Sequence, residues 1–409
     1  GWGQMGALLQ LGLKLNNFSI ANLLKKNKEH RGFLPIGDGE TMSLNAQTNG
    51  KYYQSYGLQY ATNWFGGKRP IQFTLGANFS KSTDVNTSYY SRSYMQNYYN
   101  YMYGVGNYNY NNYENYLDPD KYIQIWGFYA GWGKRLRWPD DYFQLSVQLS
   151  YQRYILKNWR YFLIMSNGTA NNLSLNISLN RSSTDNQLYP RTGSEFSASL
   201  SITPPWSKFD KKDYKNLAND RFSATYQQEQ QEKYRWVEYH KWKFKARTFT
   251  ALSSGSKCFV LMTRVEFGLL GSYNRYKKSP FETFYMGGDG MSGYSSSYAQ
   301  ETIGLRGYDN GQLTQRGEGY AYDRMTLELR YPFLLGNTTV YGLGFVEAGN
   351  AWTETSKFNP FDMKRSAGLG VRIYLPMVGM MGIDWAYGFD KVFGKKGGSH
   401  FHFVLGQEF

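Results

Sequence analysis

Apolar and polar residues alternate with a period of two along much of the chain. Phe143, Leu145, Val147, Leu149 and Tyr151 alternate with Gln144, Ser146, Gln148 and Ser150. Leu173, Leu175, Ile177 and Leu179 alternate with Ser174, Asn176, Ser178 and Asn180, and Phe196, Ala198, Leu200 and Ile202 with Ser197, Ser199, Ser201 and Thr203. This period gives a strand one apolar and one polar face. It predicts strands over 5–16, 41–49, 51–62, 70–80, 121–133, 141–155, 170–181, 193–203, 233–251, 258–272, 320–331, 338–349, 364–375, 379–388 and 400–409, fifteen in all. Connections 81–120, 156–169, 204–232, 273–319, 350–363 and 389–399 then fall on one rim, and the shorter 63–69, 134–140, 252–257, 332–337 and 376–378 on the other. Only 17–40 is long for its side. A soluble β-sandwich shows the same alternation. These segments are long, however, their polar faces are rich in Ser, Asn, Gln and Thr, and Trp64, Trp126, Trp132, Trp138, Trp352 and Trp385 stand near strand ends. Aromatic girdles at membrane interfaces have that form. The pattern therefore favours an all-β, transmembrane antiparallel β-barrel. Single-chain bacterial barrels close with an even strand number, so sixteen strands are expected, the first lying upstream of Gly1.

Composition narrows the classes. The mean hydropathy of −0.60 is too polar for a helical membrane bundle, and no apolar run approaches the roughly 20 residues of a spanning helix. The best, Leu375 to Ile383, is interrupted by Pro376. A lone Cys258 permits no internal disulfide. The net charge of +15 comes from scattered cations rather than a long basic run, so no nucleic-acid partner is expected. Gly1-Trp2-Gly3 has neither the charged start nor the apolar stretch of a signal peptide. None of the four histidines, His30, His240, His400 and His402, lies in a nucleophile motif, and Ser292–Ser297 reads as loop. His400 and His402 share one strand side, but two ligands without a Cys or carboxylate cluster do not make a metal centre. No enzymatic activity and no cofactor are expected. The Tyr/Asn-rich segment 82–120 suits a rim that touches proteins or glycans, and equally a solvated loop.

Several motifs occur in order along the second half: Phe284-Tyr285-Met286-Gly287-Gly288, Leu305-Arg306-Gly307-Tyr308, Phe345-Val346-Glu347-Ala348-Gly349-Asn350-Ala351-Trp352 and Ser366-Ala367-Gly368-Leu369-Gly370, then a strand ending at Phe409. Together they resemble the BamA family, the barrel subunit of the outer-membrane protein assembly machinery. Its superfamily also holds TamA and the two-partner secretion transporters. Asn16-Asn17-Phe18-Ser19, Ala46-Gln47-Thr48-Asn49-Gly50 and Trp64-Phe65-Gly66-Gly67-Lys68-Arg69-Pro70 resemble the Bacteroidota branch. The resemblance spans residues 1–409 as a barrel domain, with the family's periplasmic POTRA domains absent from this sequence.

The resemblance implies an inward-folded loop over 273–319 carrying Arg306, Gly307 and Tyr308, with Arg306 paired to acids inside the barrel. Glu347 and Asp384 are the named partners. Gly307 would allow close backbone approach and Tyr308 would fill space beside it. Phe401, Phe403, Leu405 and Phe409 would form a C-terminal signal and one side of a lateral gate between first and last strands. Implied partners are client outer-membrane β-barrel proteins, accessory assembly lipoproteins and outer-membrane lipids, at the cell outer membrane. Two further readings remain open, a two-partner secretion or passive transport pore and a soluble β-sandwich adhesin.

Overall fold

The computed structural model describes every residue except 1, 4–5, 8, 21, 23–35, 66–70, 86–116, 160–164, 221, 290–300, 315–317, 377–378 and 406–409. Most of the Tyr/Asn-rich segment, Ser292–Ser297 and Phe409 lie outside the described residues. Fifteen strands form one antiparallel sheet: β1 (Leu9–Phe18), β2 (Ile36–Asn49), β3 (Tyr53–Thr62), β4 (Ile71–Val85), β5 (Leu117–Arg135), β6 (Phe143–Lys157), β7 (Gly168–Ser182), β8 (Gly193–Ile202), β9 (His240–Ala251), β10 (Val260–Gly271), β11 (Ala321–Leu334), β12 (Thr339–Trp352), β13 (Lys364–Leu375), β14 (Gly379–Val392) and β15 (Lys395–Leu405). Each strand pairs with its sequence neighbours, so β1 and β15 stand at the ends of the order. Each of the fifteen segments predicted within 1–409 contributes a strand among the described residues. No described helix is long and apolar enough to cross a membrane.

Two predicted boundaries are corrected. Residues 233–239 are not strand: Tyr226–Tyr234 is an α-helix, and β9 begins at His240. The run Gln227-Gln228-Glu229-Gln230-Gln231-Glu232 consists of good helix formers with no β-branched residue. Just after it, the buried Glu238 turns inward to accept from the Ser207 N–H (2.7 Å) and hydroxyl (2.6 Å). The predicted 389–399 loop is a two-residue turn. β14 runs on to Val392 and β15 starts at Lys395, with positive φ at Phe393 (48°) and Gly394 (82°), the backbone signs of the tight hairpin turn whose twist matches its strands.

The chain divides into two compact units. One comprises Gly1–Lys134, Val147–Leu175 and Thr203–Glu238. In it Leu11, Leu13, Leu44, Leu58, Leu75, Trp126 and Phe128 are exposed, while polar side chains pair across strands, as Tyr151 with Asn171 (2.8 Å) and Ser150 with Ser174 (2.8 Å).

The second unit comprises Arg135–Ser146, Asn176–Ile202 and Tyr239–Phe409. Its polarity is inverted relative to a water-soluble sheet. On β11, Met325, Leu327 and Leu329 are exposed while Arg324, Thr326 and Glu328 between them are buried. On β14, Ile383, Trp385 and Tyr387 are exposed and Asp384 is fully buried. Exposing an apolar face and hiding a charged one is unfavourable in water, and is the arrangement of a wall that faces lipid. A small apolar core also forms: Tyr189, Phe249, Cys258, Val260, Met262, Tyr341, Leu343, Phe345 and Met380 cluster where β9, β10, β12 and β14 meet their short links. Link 183–192 closes over it, the Tyr189 hydroxyl donating to the carbonyls of Cys258 (3.1 Å) and Arg330 (3.2 Å).

Leu327 pairs with Val346 midway along β11 and β12, and both are exposed. Leu327→Arg is expected to lower folding stability in lipid vesicles by about 2–4 kcal/mol, the cost of an arginine at mid-bilayer depth. A urea titration followed by heat-modifiable gel migration measures it; an unchanged midpoint would remove the lipid-facing assignment of this face.

Candidate functional site

The segment between β10 and β11 folds on itself before reaching the sheet. Phe284–Met286 pairs in parallel with Glu301–Ile303. Gly288 and Leu305 then exchange two backbone hydrogen bonds of 3.1 Å, and the Leu313 N–H donates to the Met286 carbonyl (3.1 Å). Phe281, Phe284, Met286, Leu305 and Tyr308 are fully buried. A Lys241 ion pair to Glu301 (2.9 Å) and a Lys243 pair to the same carboxylate (2.9 Å) hold the folded loop to β9. The tip therefore arrives as a pre-shaped unit. It lies level with Glu328, seven residues into β11 from Ala321, which at about 3.3 Å per residue is roughly 23 Å along the strand.

Arg306 forms the tip. Its guanidinium donates to Glu328 (2.8 Å) on β11, Glu347 (2.8 Å) on β12 and Asp384 (3.0 Å) on β14, and its backbone N–H reaches the second Glu347 oxygen (3.0 Å). The planar group lies over the Phe345 ring, 3.4 Å from its centroid, and stacking of this kind suits a guanidinium better than an ammonium. Each carboxylate has a second cation: Arg330 on Glu328 (2.7 Å), Arg324 on Glu347 (2.8 Å) and Arg372 on Asp384 (2.5 Å). All of these side chains are at least mostly buried. Moving one charge from water to such a place costs several kcal/mol, offset only when every charge meets opposite charge with good geometry.

Gly307 sits at φ +87°, and a Cβ there would stand 2.8 Å from the Gly388 nitrogen and 2.9 Å from Ser366 Cβ. Only glycine fits this backbone conformation and this close approach. Tyr308 is fully buried and donates its hydroxyl to the Arg365 carbonyl (2.7 Å). Phe401 and Phe403 are exposed on β15, with the buried His402 between them facing the loop. Leu405 pairs with Met381 at the end of β15, and Phe409 is outside the described residues.

The structure thus brings Arg306 together with Glu347 and Asp384, and sets Phe401 and Phe403 on the opposite face of the sheet. Residue-by-residue reading misses Glu328, Arg324, Arg330, Arg372 and His402. Their signal is positional: all but Arg324, which follows Asp323, occupy a polar place between apolar neighbours, such as Leu327 and Leu329 around Glu328, that turn out to be the exposed ones. Among the described residues no cluster of His, Cys, Asp and Glu has the composition of a metal site.

The Omp85 superfamily domain model matches residues 36–409. The chain belongs to the Omp85 superfamily. It is accordingly an outer-membrane barrel chain, of the all-β class that the alternation predicts. Among solved structures it is similar to BamA from Haemophilus ducreyi lacking POTRA domains 1–3, at 14% identity and a TM-score of 0.59, with 98% of this chain and 67% of that one covered. It is also similar to CdiB from Escherichia coli, at 10% identity and a TM-score of 0.51, with 97% of this chain and 58% of that one covered. The chain spans about two thirds or less of these structures. A comparison with curated protein sequences returns no match.

Arg306→Ala leaves three buried carboxylates with one cation each. The loop is expected to lose about 3–5 kcal/mol of docking stability, as when one partner of a buried pair is removed, while the strands stay paired. Limited proteolysis within 280–314 reads this directly. Arg306→Lys should recover little, since one ammonium cannot bridge three carboxylates.

Proposed function

We propose that this chain is the barrel subunit of an outer-membrane assembly machine, inserting and folding client β-barrel proteins through a lateral gate between its first and last strands. One observation carries the reading: the loop tip, with Arg306 held by Glu328, Glu347 and Asp384, is docked beside the terminal strand β15. A passive pore needs an open path. Here a folded loop is fixed against the polar face of the sheet by charges that dissociate only at high cost. The edge of β15 supports the same reading, since an unpaired edge can template an incoming strand by backbone hydrogen bonds. Phe401 and Phe403 then face lipid and, with Leu405 and Phe409, complete the terminal signal. The work comes from exchanging strand edges and from burying the client's apolar surface in the bilayer. No nucleotide takes part, and accessory lipoproteins with outer-membrane lipids complete the assembly. Membership of the Bacteroidota-type branch, and POTRA domains in the whole protein, belong to this proposal.

The similarity to CdiB supports a second reading, a two-partner secretion pore. In planar bilayers a pore conducts steadily, whereas an assembly barrel with its loop docked conducts poorly. In liposomes the assembly reading expects this chain to speed folding of a test outer-membrane protein, and Arg306→Ala to abolish most of that gain while the variant itself remains folded. Normal outer-membrane protein levels with Arg306→Ala as the sole copy would contradict the proposed function.

A further inference from the structure

Beyond the arginine, and beside the Tyr308 contact on β13, the loop tip makes a second set of contacts that fall on the last hairpin. The Gly307 N–H donates to His402 Nε2 at 2.9 Å. An imidazole nitrogen that accepts from a backbone N–H carries no proton itself, so His402 serves here through its Nε2 lone pair. His402 is buried at 5% exposure, on the opposite face of β15 from Phe401 and Phe403. Two residues on, Asp309 pairs with Lys395 at the start of β15 and lies 3.4 Å from His400 Nδ1. Between these points the two backbones nearly touch. A Cβ at Gly388 would stand 2.2 Å from the Gly307 carbonyl oxygen, and one at Gly397 would stand 2.8 Å from it.

Among the described residues the strand hydrogen-bonded to β15 is β14. A terminal strand of a sheet opens more readily than the strands inside it. The loop supplies β15 with a second support, from the side of the sheet rather than from its edge, through residues 395, 397, 400 and 402. We propose that the loop tip positions the terminal strand, with His402 as the positioning residue that couples Gly307 to β15. This inference rests on the assembly reading for its purpose: an edge that templates a client strand works best when already held in strand geometry, because ordering it on encounter costs binding free energy. The role of the loop is then not limited to occupying space. It determines how firmly the templating edge is held.

Hydrogen exchange of the full chain in lipid nanodiscs, without any client, tests the coupling by itself. His402→Ala is expected to speed exchange of the β15 amides that bond to β14 by about tenfold, the effect of losing one buried hydrogen bond, with β9 to β12 unchanged. His402→Gln, whose amide oxygen can accept the same N–H, should retain parental rates. Gly388→Ala, which collides with the Gly307 oxygen and leaves His402 intact, should reproduce the fast exchange. Parental β15 exchange in both His402→Ala and Gly388→Ala overturns the proposal, as does acceleration spread evenly over the sheet. A client-folding assay run in parallel keeps the two readings apart. A parent chain that fails to speed client folding sinks the assembly reading and leaves the exchange result standing, while a loosened β15 with unaltered client folding overturns the functional part of the coupling.

Discussion

A guanidinium in a place water hardly reaches governs the second unit of this protein. Arg306 needs opposite charge on several sides, and three strands, β11, β12 and β14, each bring one carboxylate to it. Without it each carboxylate keeps one cation, Arg330, Arg324 or Arg372, and loses the group that ties the three strands to the loop. The dependence is mutual, so the folded loop and the strand faces specify each other's position. Such a network adds little net stability compared with an apolar packing of the same volume, but its geometric demands are strict. It fixes a loop on a wall more by excluding other placements than by strong attraction.

The same inversion of polarity decides where the protein can exist. Leucines, valines and aromatic rings lie on the exposed side, and Arg, Glu, Asp and Thr are turned away from it. In water this arrangement forgoes the hydrophobic contribution that holds ordinary sheets together. In a bilayer the apolar face meets acyl chains and the backbone polar groups are satisfied by strand pairing. The core of the second unit is correspondingly small and sits at the short-link end, where Tyr189 packs edge-on against Tyr341.

The strands could be read from sequence because the period of two survives the inversion: alternation marks a strand whichever face meets solvent. The helix over Tyr226–Tyr234 is not legible because most of it falls in the predicted connection 204–232, in a stretch with no apolar stripe of its own. The β14–β15 turn escaped because Phe393, a bulky residue at positive φ, carries no ordinary turn signal. Arg306, Glu347 and Asp384 are named by the family resemblance that the ordered motifs carry. Glu328, Arg372 and His402 could not, since a charged or polar residue on a half-polar strand looks solvated until the exposed face is known to be the apolar one.

Gly370 lies under Asp384, and a Cβ on it would stand 1.8 Å from that carboxylate. Nothing but hydrogen leaves room there, so the position is tied to one particular neighbour. A bilayer makes no such demand on Leu327 or Val346; any oily side chain will satisfy it. Substitutions accumulating over time would thus rewrite the outer surface freely while the few inward fittings stay legible. Two walls of this kind can then share a shape yet agree at only 14% of their residues.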